Sequence, residues 1–349
     1  MPKLPKSASE RNENTSLQKR LFDLALDSDL NELLITLGPK EELSLEDLFF
    51  VVYYITNEFL SSIGGQQALR ASNNNNPKFT DSEIMTINIV GQLAGQNSQS
   101  AWFRYVRKNY MYLFPNISQR SQYVKRSFRL KSITCFLQQY LVNKTHANCS
   151  REFIVDSFPI SLCNLQRLKN SSQPFEYDGA SFGYCASKKL HYYGYKCHLV
   201  TDLRGVPVFL CLTGAHMSDL RAFEFVISQM LEQNIAKKNT IYIGDKGYVG
   251  KNFQEHILQY FGVELLSIQR QYDKELEESP INSLLKKSRK LIETSINVFA
   301  QELHANWTNR RSIKGLACSL LDKLTAFNIA SFLNLLLERP LLRVKGFVY

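Results

Sequence analysis

Three acidic residues stand where chemistry could be done: Asp156, Asp245 and Glu293, 89 and 48 residues apart. Asp156 follows the apolar run Phe153-Ile154-Val155 and precedes Pro159, and Asp245 follows Thr240–Gly244, TIYIG. Glu293 lies in a long helical pattern, with Arg289 one turn before it on the same face. A short apolar run ended by Pro reads as a strand buried on both faces. Asp156 is thus expected at the carboxyl end of one strand and Asp245 at the end of another, where open α/β sheets place their ligands. Two such carboxylates and a third from a packed helix can converge on a pair of divalent cations. Mg²⁺ takes carboxylate oxygens and keeps water or phosphate oxygens as its other ligands. Two such ions about 3.5–4 Å apart can stabilise the attacking and leaving oxygens of an in-line displacement at phosphorus. No protein nucleophile is then required, and the sequence offers no convincing Ser-His or Cys-His pair. Each acid also has a plainer reading: Asp156 and Asp245 as turn or cap residues, Glu293 as the surface partner of Arg289.

The elements that would position these residues follow from pattern. The start, residues 1–16, is polar and reads as disordered, and Leu17–Leu37 reads as a helix. Ser44 with Asp47 and Thr80 with Glu83 each open a helix with a capping-box pattern, separated by a Gly- and Asn-rich linker. Gln99–Tyr112 and Ser118–Leu141 give two or three further helices, with Trp102, Tyr105, Val106, Tyr110 and Met111 read chiefly as core. After the strand at Arg151–Ile160, the stretch from Cys163 to Tyr184 is irregular. Leu190–Thr201 and Val206–Leu212 form a hairpin turned by Asp202–Gly205. Ser218-Asp219 caps an amphipathic helix; strand 240–244, helix 252–261, strand 263–268 and helix 284–303 follow. A last apolar helix, 316–337, reads as a buried packing element. This order predicts a mixed sheet covered by helices.

Charge distribution says more than the net +10. Residues 1–60 carry eleven acids and six bases, whereas the 68 residues from Ile84 to Arg151 contain ten bases and no acid. Ordinary surfaces mix signs, so a polyanion partner is the cheapest account; a solvated basic face is the alternative. Short crossed basic helices suit a helix-turn-helix-like DNA reader. Arg104, Arg107, Lys108, Arg120, Lys125 and Arg126 are the candidate contacts there, with Lys246 and Arg289 beside the acids. The seven cysteines are scattered without a C-x-x-C pair, which fits free thiols in a reducing compartment. Cys185, His191, Cys197 and His198 invite a zinc reading, but strand alternation puts His198 opposite Cys197 and no pair has structural-zinc spacing. His216, before a helix, reads as structural. No run of about 18 apolar residues and no secretory h-region is visible, so no membrane association is expected.

FIVDSFPISLCNLQR, GYKCHLVTDLRGVPV, YIGDKGY and RKLIETSI together resemble DDE transposases of bacterial insertion sequences, most closely the insertion-sequence 982 family. The resemblance covers residues 80–335. It implies an α/β, RNase H-like mixed sheet flanked by helices, preceded by an all-helical basic DNA-binding region. It also implies that Asp156, Asp245 and Glu293 are the catalytic and metal-binding triad. Two Mg²⁺ ions are expected, with Mn²⁺ as a substitute. The expected partners are double-stranded DNA (the element's terminal inverted repeats and the target) and a second copy of the chain, as a homodimer or larger. The expected setting is the bacterial cytoplasm. The expected activity is strand cleavage followed by 3′-OH strand transfer. The alternatives are an inactive, element-derived DNA-binding protein and a non-transposing RNase H-like nuclease. Two positions depart from a pattern common around the third acid, Tyr-x2-Arg-x3-Glu-x6-Lys: Lys286 stands at the Tyr position and Ala300 at the Lys position. The expected organisation is a helical N-terminal region (1–70), linker (71–79), basic helical domain (80–148), catalytic domain (149–310) and C-terminal packing helix with tail (311–349).

Overall fold

The computed structural model describes residues 43–64, 77–163, 179–186, 189–267, 280–306, 308, 310 and 312–344. The expected polar start, the Leu17–Leu37 helix and the centre of the linker lie outside the described residues. The chain divides into two compact units, one within residues 1–140 and one within 141–345.

The first unit is helical. α1 (Leu45–Ser62) and α2 (Asp81–Leu93) both begin with the expected reciprocal caps, Ser44 with Asp47 and Thr80 with Glu83. Each cap satisfies two backbone donors that the first helical turn leaves free. The Thr56 and Thr86 hydroxyls, 3.0 Å apart in the buried interface, tie α1 to α2. α3 (Gln99–Asn109) stops three residues short of the expected end, where a turn at 111–113 precedes Phe114-Pro115. Trp102 donates from Nε1 to the Ile87 carbonyl at 2.7 Å and lies across Gly91. A Cβ at Gly91 would come within 2.6 Å of the indole, so this close approach needs glycine. The remaining span is two helices, α4 (Arg120–Arg129) and α5 (Lys131–Lys144). Phe103 and Tyr123 stack 4.6 Å apart and join α3 to α4.

The second unit is a six-stranded mixed sheet with helices. β1 (Glu152–Cys163), β3 (Leu190–Asp202) and β4 (Pro207–Gly214) are antiparallel neighbours. β5 (Ile241–Gly244) pairs parallel with β1, and β6 (Glu264–Ser267) parallel with β5. β2 (Ser181–Cys185) pairs with the start of β3 along the same edge that β4 occupies farther on. The helices are α6 (Asp219–Glu232), α7 (Lys251–Phe261), α8 (Pro280–Asn297), which runs into a π turn at Val298–Glu302, and α9 (Ile313–Leu336). Three antiparallel strands continued by two parallel ones, with helices packed on them, is the RNase H-like arrangement that the sequence predicts. The core gathers Phe153, Val155, Val200, Phe223, Val226 and Tyr242. α9 is apolar and long enough to cross a membrane, but most of it is buried inside this unit. Its Asn328 donates to the Pro207 carbonyl at 2.7 Å.

Two expectations need correction. Pro159 does not end β1, which continues to Cys163, so Asp156 is mid-strand rather than at a strand end. The reason is one-sided pairing: among the described residues only β3 accompanies β1 beyond Val155, and a strand with an open side tolerates proline. The irregular stretch before Tyr184 also holds a strand, β2, whose small and half-exposed residues give no apolar run.

Candidate active site

Two strands set the site. The parallel register of β1 and β5 ends at Val155 opposite Gly244, so Asp156 and Asp245 are the next residue on each of two adjacent strands. Asp156 and Asp245, with Arg289 and Ile292 of α8, line one small recess. The Asp156 carboxylate accepts the Ser157 backbone N–H at 2.7 Å. Its pKa is nevertheless raised from 3.8 to about 7, first by burial, then by the charge of Asp245, with smaller contributions from Asp219 and Glu293. Asp245 folds over the start of a short 3₁₀ turn, Lys246–Tyr248, and accepts the Gly247 N–H at 2.7 Å.

α8 is held by its buried stripe. Ser288, Ile292 and Ser295 face inward, and the Ser295 hydroxyl donates to the Gly205 carbonyl at 2.7 Å. Gly205 has φ +86°, and a Cβ there would sit 2.8 Å from the Ser295 oxygen. The β3–β4 turn therefore needs glycine both for its backbone and for the seat of α8. Glu293 is exposed and accepts Arg289 Nε at 2.9 Å. That hydrogen bond is the first cause of the raised Arg289 pKa; Asp245 and Asp156 also contribute.

Asp219 is a fourth acid at this site, one that the sequence presents only as a cap residue. Ser218 makes no side-chain cap, and the Asp219 carboxylate instead accepts the Ser157 hydroxyl at 2.9 Å and Lys196 Nζ at 3.2 Å. Lys196 also donates to the Met217 carbonyl at 2.9 Å. Gly247 separates the two acids: a Cβ on it would lie 3.0 Å from Asp245 Oδ1 and 3.1 Å from Asp219 Oδ2. Tyr248 packs its ring on Gly244, and its fully buried hydroxyl has no hydrogen-bond partner among the described residues. Burial first, then Asp219, Asp156 and Asp245, push its pKa well up.

A family model described as a transposase DDE domain matches residues 147–329. The chain belongs to this family. Neither curated proteins nor solved structures give a match. The match identifies a DDE transposase and does not narrow it to insertion-sequence family 982.

DDE transposases generally work with divalent metal ions, and the donor set of this transposase has the hard carboxylate oxygens such ions take. The crowding that raises Asp156 is also what a bound cation would relieve. Among the described residues, however, no three His, Cys, Asp or Glu side chains already stand as a ligand cluster. Glu293 is instead engaged by Arg289.

The other candidates fall into distinct places. Arg107, Lys108 and Lys125 are exposed, and Arg104 donates to the Ser100 carbonyl. Arg120 donates to the Ser100 hydroxyl at 2.9 Å. Arg126 is half-buried, ion-paired with Asp81 and bonded to the Phe79 carbonyl. The side chains of Lys246 and Lys286 lie outside the described residues, and Ala300 is buried in the π turn. Of the residues weighed for zinc, His198 is buried against the Thr213 hydroxyl at 2.9 Å and His191 lies beside Tyr184. Burial lowers the His198 pKa to about 4. His216 meets Ser181 of β2 at 2.8 Å.

Proposed function

We infer that this transposase binds the ends of a mobile element, cleaves DNA strands there and joins the freed 3′-OH to target DNA. Asp156, Asp245 and Glu293 are its catalytic residues in this reading. The observation that carries it is the juxtaposition of Asp156 and Asp245 where the parallel pairing of β1 and β5 ends, with the Asp156 carboxyl pushed up to about 7. A partly buried carboxyl crowded by its neighbours is a signature of functional sites.

Asp156 and Asp245 would hold the divalent ions, and Glu293 would join them by exchanging its bond to Arg289. Bound there, the ions would supply Lewis-acid activation of the nucleophilic oxygen and neutralise charge developing on the leaving oxygen. Arg289, released from Glu293 and lining the same recess as the two aspartates, would then meet a substrate phosphate. Ser157 and Lys196 fix Asp219 beside the site and limit how far the strand bearing Asp156 can shift. Action on two ends calls for at least two copies of the chain.

The test is strand cleavage of duplex DNA carrying the sequences that flank the coding region, with Mg²⁺ and with chelator. Cleavage by the wild type with Mg²⁺, and loss of cleavage in a folded Asp245→Asn variant, is expected. Undiminished cutting by that variant would sink the assignment. Tight end-specific binding with no cutting under any condition would favour the inactive DNA-binding reading.

A further inference from the structure

We propose that α4, Arg120–Arg129, is the helix that enters the groove of duplex DNA, and that a basic recess along its flank seats a backbone phosphate. This rests on the reading of the chain as a DNA-acting transposase and names the element that does the reading.

The inward face of α4 is fully committed. Tyr123, Ser127 and the following Leu130 are buried, and Tyr123 and Ser127 bond to the Asn88 side chain of α2. Arg126, the one cation on that side, is clamped between Asp81 and the Phe79 carbonyl. Its charge is spent on fixing α4 to the start of α2. The outward face is left with Ser121, Gln122, Lys125, Phe128 and Arg129, all exposed. These are side chains that can read base edges: Gln for adenine, Lys and Arg for guanine, and an apolar ring for the thymine methyl. Phe128 keeps 43% of its surface exposed on this basic face. A helix with side chains, about 10–12 Å across, fits a major groove about 12 Å wide.

The flank of the helix carries an open recess of about 500 Å³. Lys78, Asn116, Gln122, Lys125, Arg126 and Arg129 line it, and no acid among the described residues does. Asp81, the acid that the lining Arg126 touches, is neutralised by that pairing. Lys78 lies before α2 and outside the acid-free window that the sequence pointed to, so the fold adds it to the basic surface. α3 offers Arg104, Arg107 and Lys108 on its exposed side, which suits phosphate contacts on the neighbouring strand. A helix whose buried side is pinned to α2 and whose outward side mixes amide, cation and aromatic is what a reading helix needs. A face of cations alone would position the protein without reading sequence.

The test uses the full chain and a pool of random-sequence 30-base-pair duplexes, with affinity measured against salt and the bound fraction sequenced. Lys78→Ala, Lys125→Ala and Arg129→Ala should each weaken binding about 5-fold at 0.15 M salt and lower the salt slope by about 1. Gln122→Ala should keep the slope and flatten base preference at a single position of the enriched sequence. All four sites are exposed, and an unchanged melting temperature will separate these effects from misfolding. Wild-type affinity, slope and preference in all four variants would overturn the proposal. So would a change of base preference confined to α3 variants, or binding of an RNA hairpin as tight as that of duplex DNA. Cleavage at saturating DNA separates the two readings. If the wild type cuts and the α4 variants bind and select as it does, only this proposal fails; if α4 behaves as stated but nothing cuts, only the catalytic reading fails.

Discussion

Asp156→Asn should make the metal-free protein more stable at alkaline pH while removing its activity. In the folded state the Asp156 pKa is raised from 3.8 to about 7, so between those values the folded chain holds a proton that the unfolded chain has lost. The corresponding stability is fully present below about pH 4 and is lost as pH rises through 7. A rise from 3.8 to about 7 is worth at most about 4 kcal/mol. The residue is partly exposed, so water screens about half of that penalty, leaving about 2 kcal/mol at pH 8. At pH 5 only the first part of the loss has occurred, and the penalty falls below about 1 kcal/mol. Asn carries no charge, can still accept the Ser157 N–H, and escapes this penalty. Urea unfolding in chelator, followed by circular dichroism at pH 5 and pH 8, measures the difference. The variant should gain about 2 kcal/mol over the wild type at pH 8 and much less at pH 5. Millimolar Mg²⁺ should then stabilise the wild type but not the variant. A wild type equal to or more stable than the variant at pH 8 without metal would refute the claim that crowded, partly buried charge sets the state of Asp156.

Other substitutions test the supports of the site. Gly205→Ala should cost about 2–4 kcal/mol in chemical denaturation, because the new Cβ meets the Ser295 hydroxyl at 2.8 Å and φ is +86°. It should lower cleavage as well, since Ser295 anchors the helix carrying Glu293. Arg289→Ala should leave the melting temperature within a degree or two, because an exposed i,i+4 pair is worth a few tenths of a kcal/mol. Its strand-cleavage rate should nevertheless fall at least 10-fold if Arg289 meets substrate phosphate; an unchanged rate would leave it only a partner of Glu293. Arg126→Ala should behave oppositely to Lys125→Ala, losing about 1–3 kcal/mol of stability by stranding Asp81.

Short-range signals in the sequence translate directly into structure. The caps at Ser44 and Thr80 and the Asp202–Gly205 hairpin are such patterns, and they form as expected. The order of strands and helices is enough to predict a mixed sheet. Asp156 and Asp245 can be paired because both follow apolar strand runs. Pro159 reads as a stop and so puts Asp156 at a strand end, whereas pairing on one side only lets β1 continue past it. Asp219 is hidden for a different reason. Its helix-start position offers a local explanation, while its partners in the fold, Ser157 and Lys196, are 62 and 23 residues away. The signal the sequence does carry for it is an acid opening the helix after a sheet hairpin, with a lysine on the hairpin's first strand.

The central claim is that Asp156, Asp245 and Glu293 form one catalytic site, and single-turnover cleavage of saturating DNA in Mg²⁺ tests it most directly. Asp156→Asn, Asp245→Asn and Glu293→Gln should each bind DNA as the wild type does and cut at least about 10³-fold more slowly, and pairs of these changes should cost little more than one. A folded, DNA-binding variant of any of the three that cuts at the wild-type rate would contradict it.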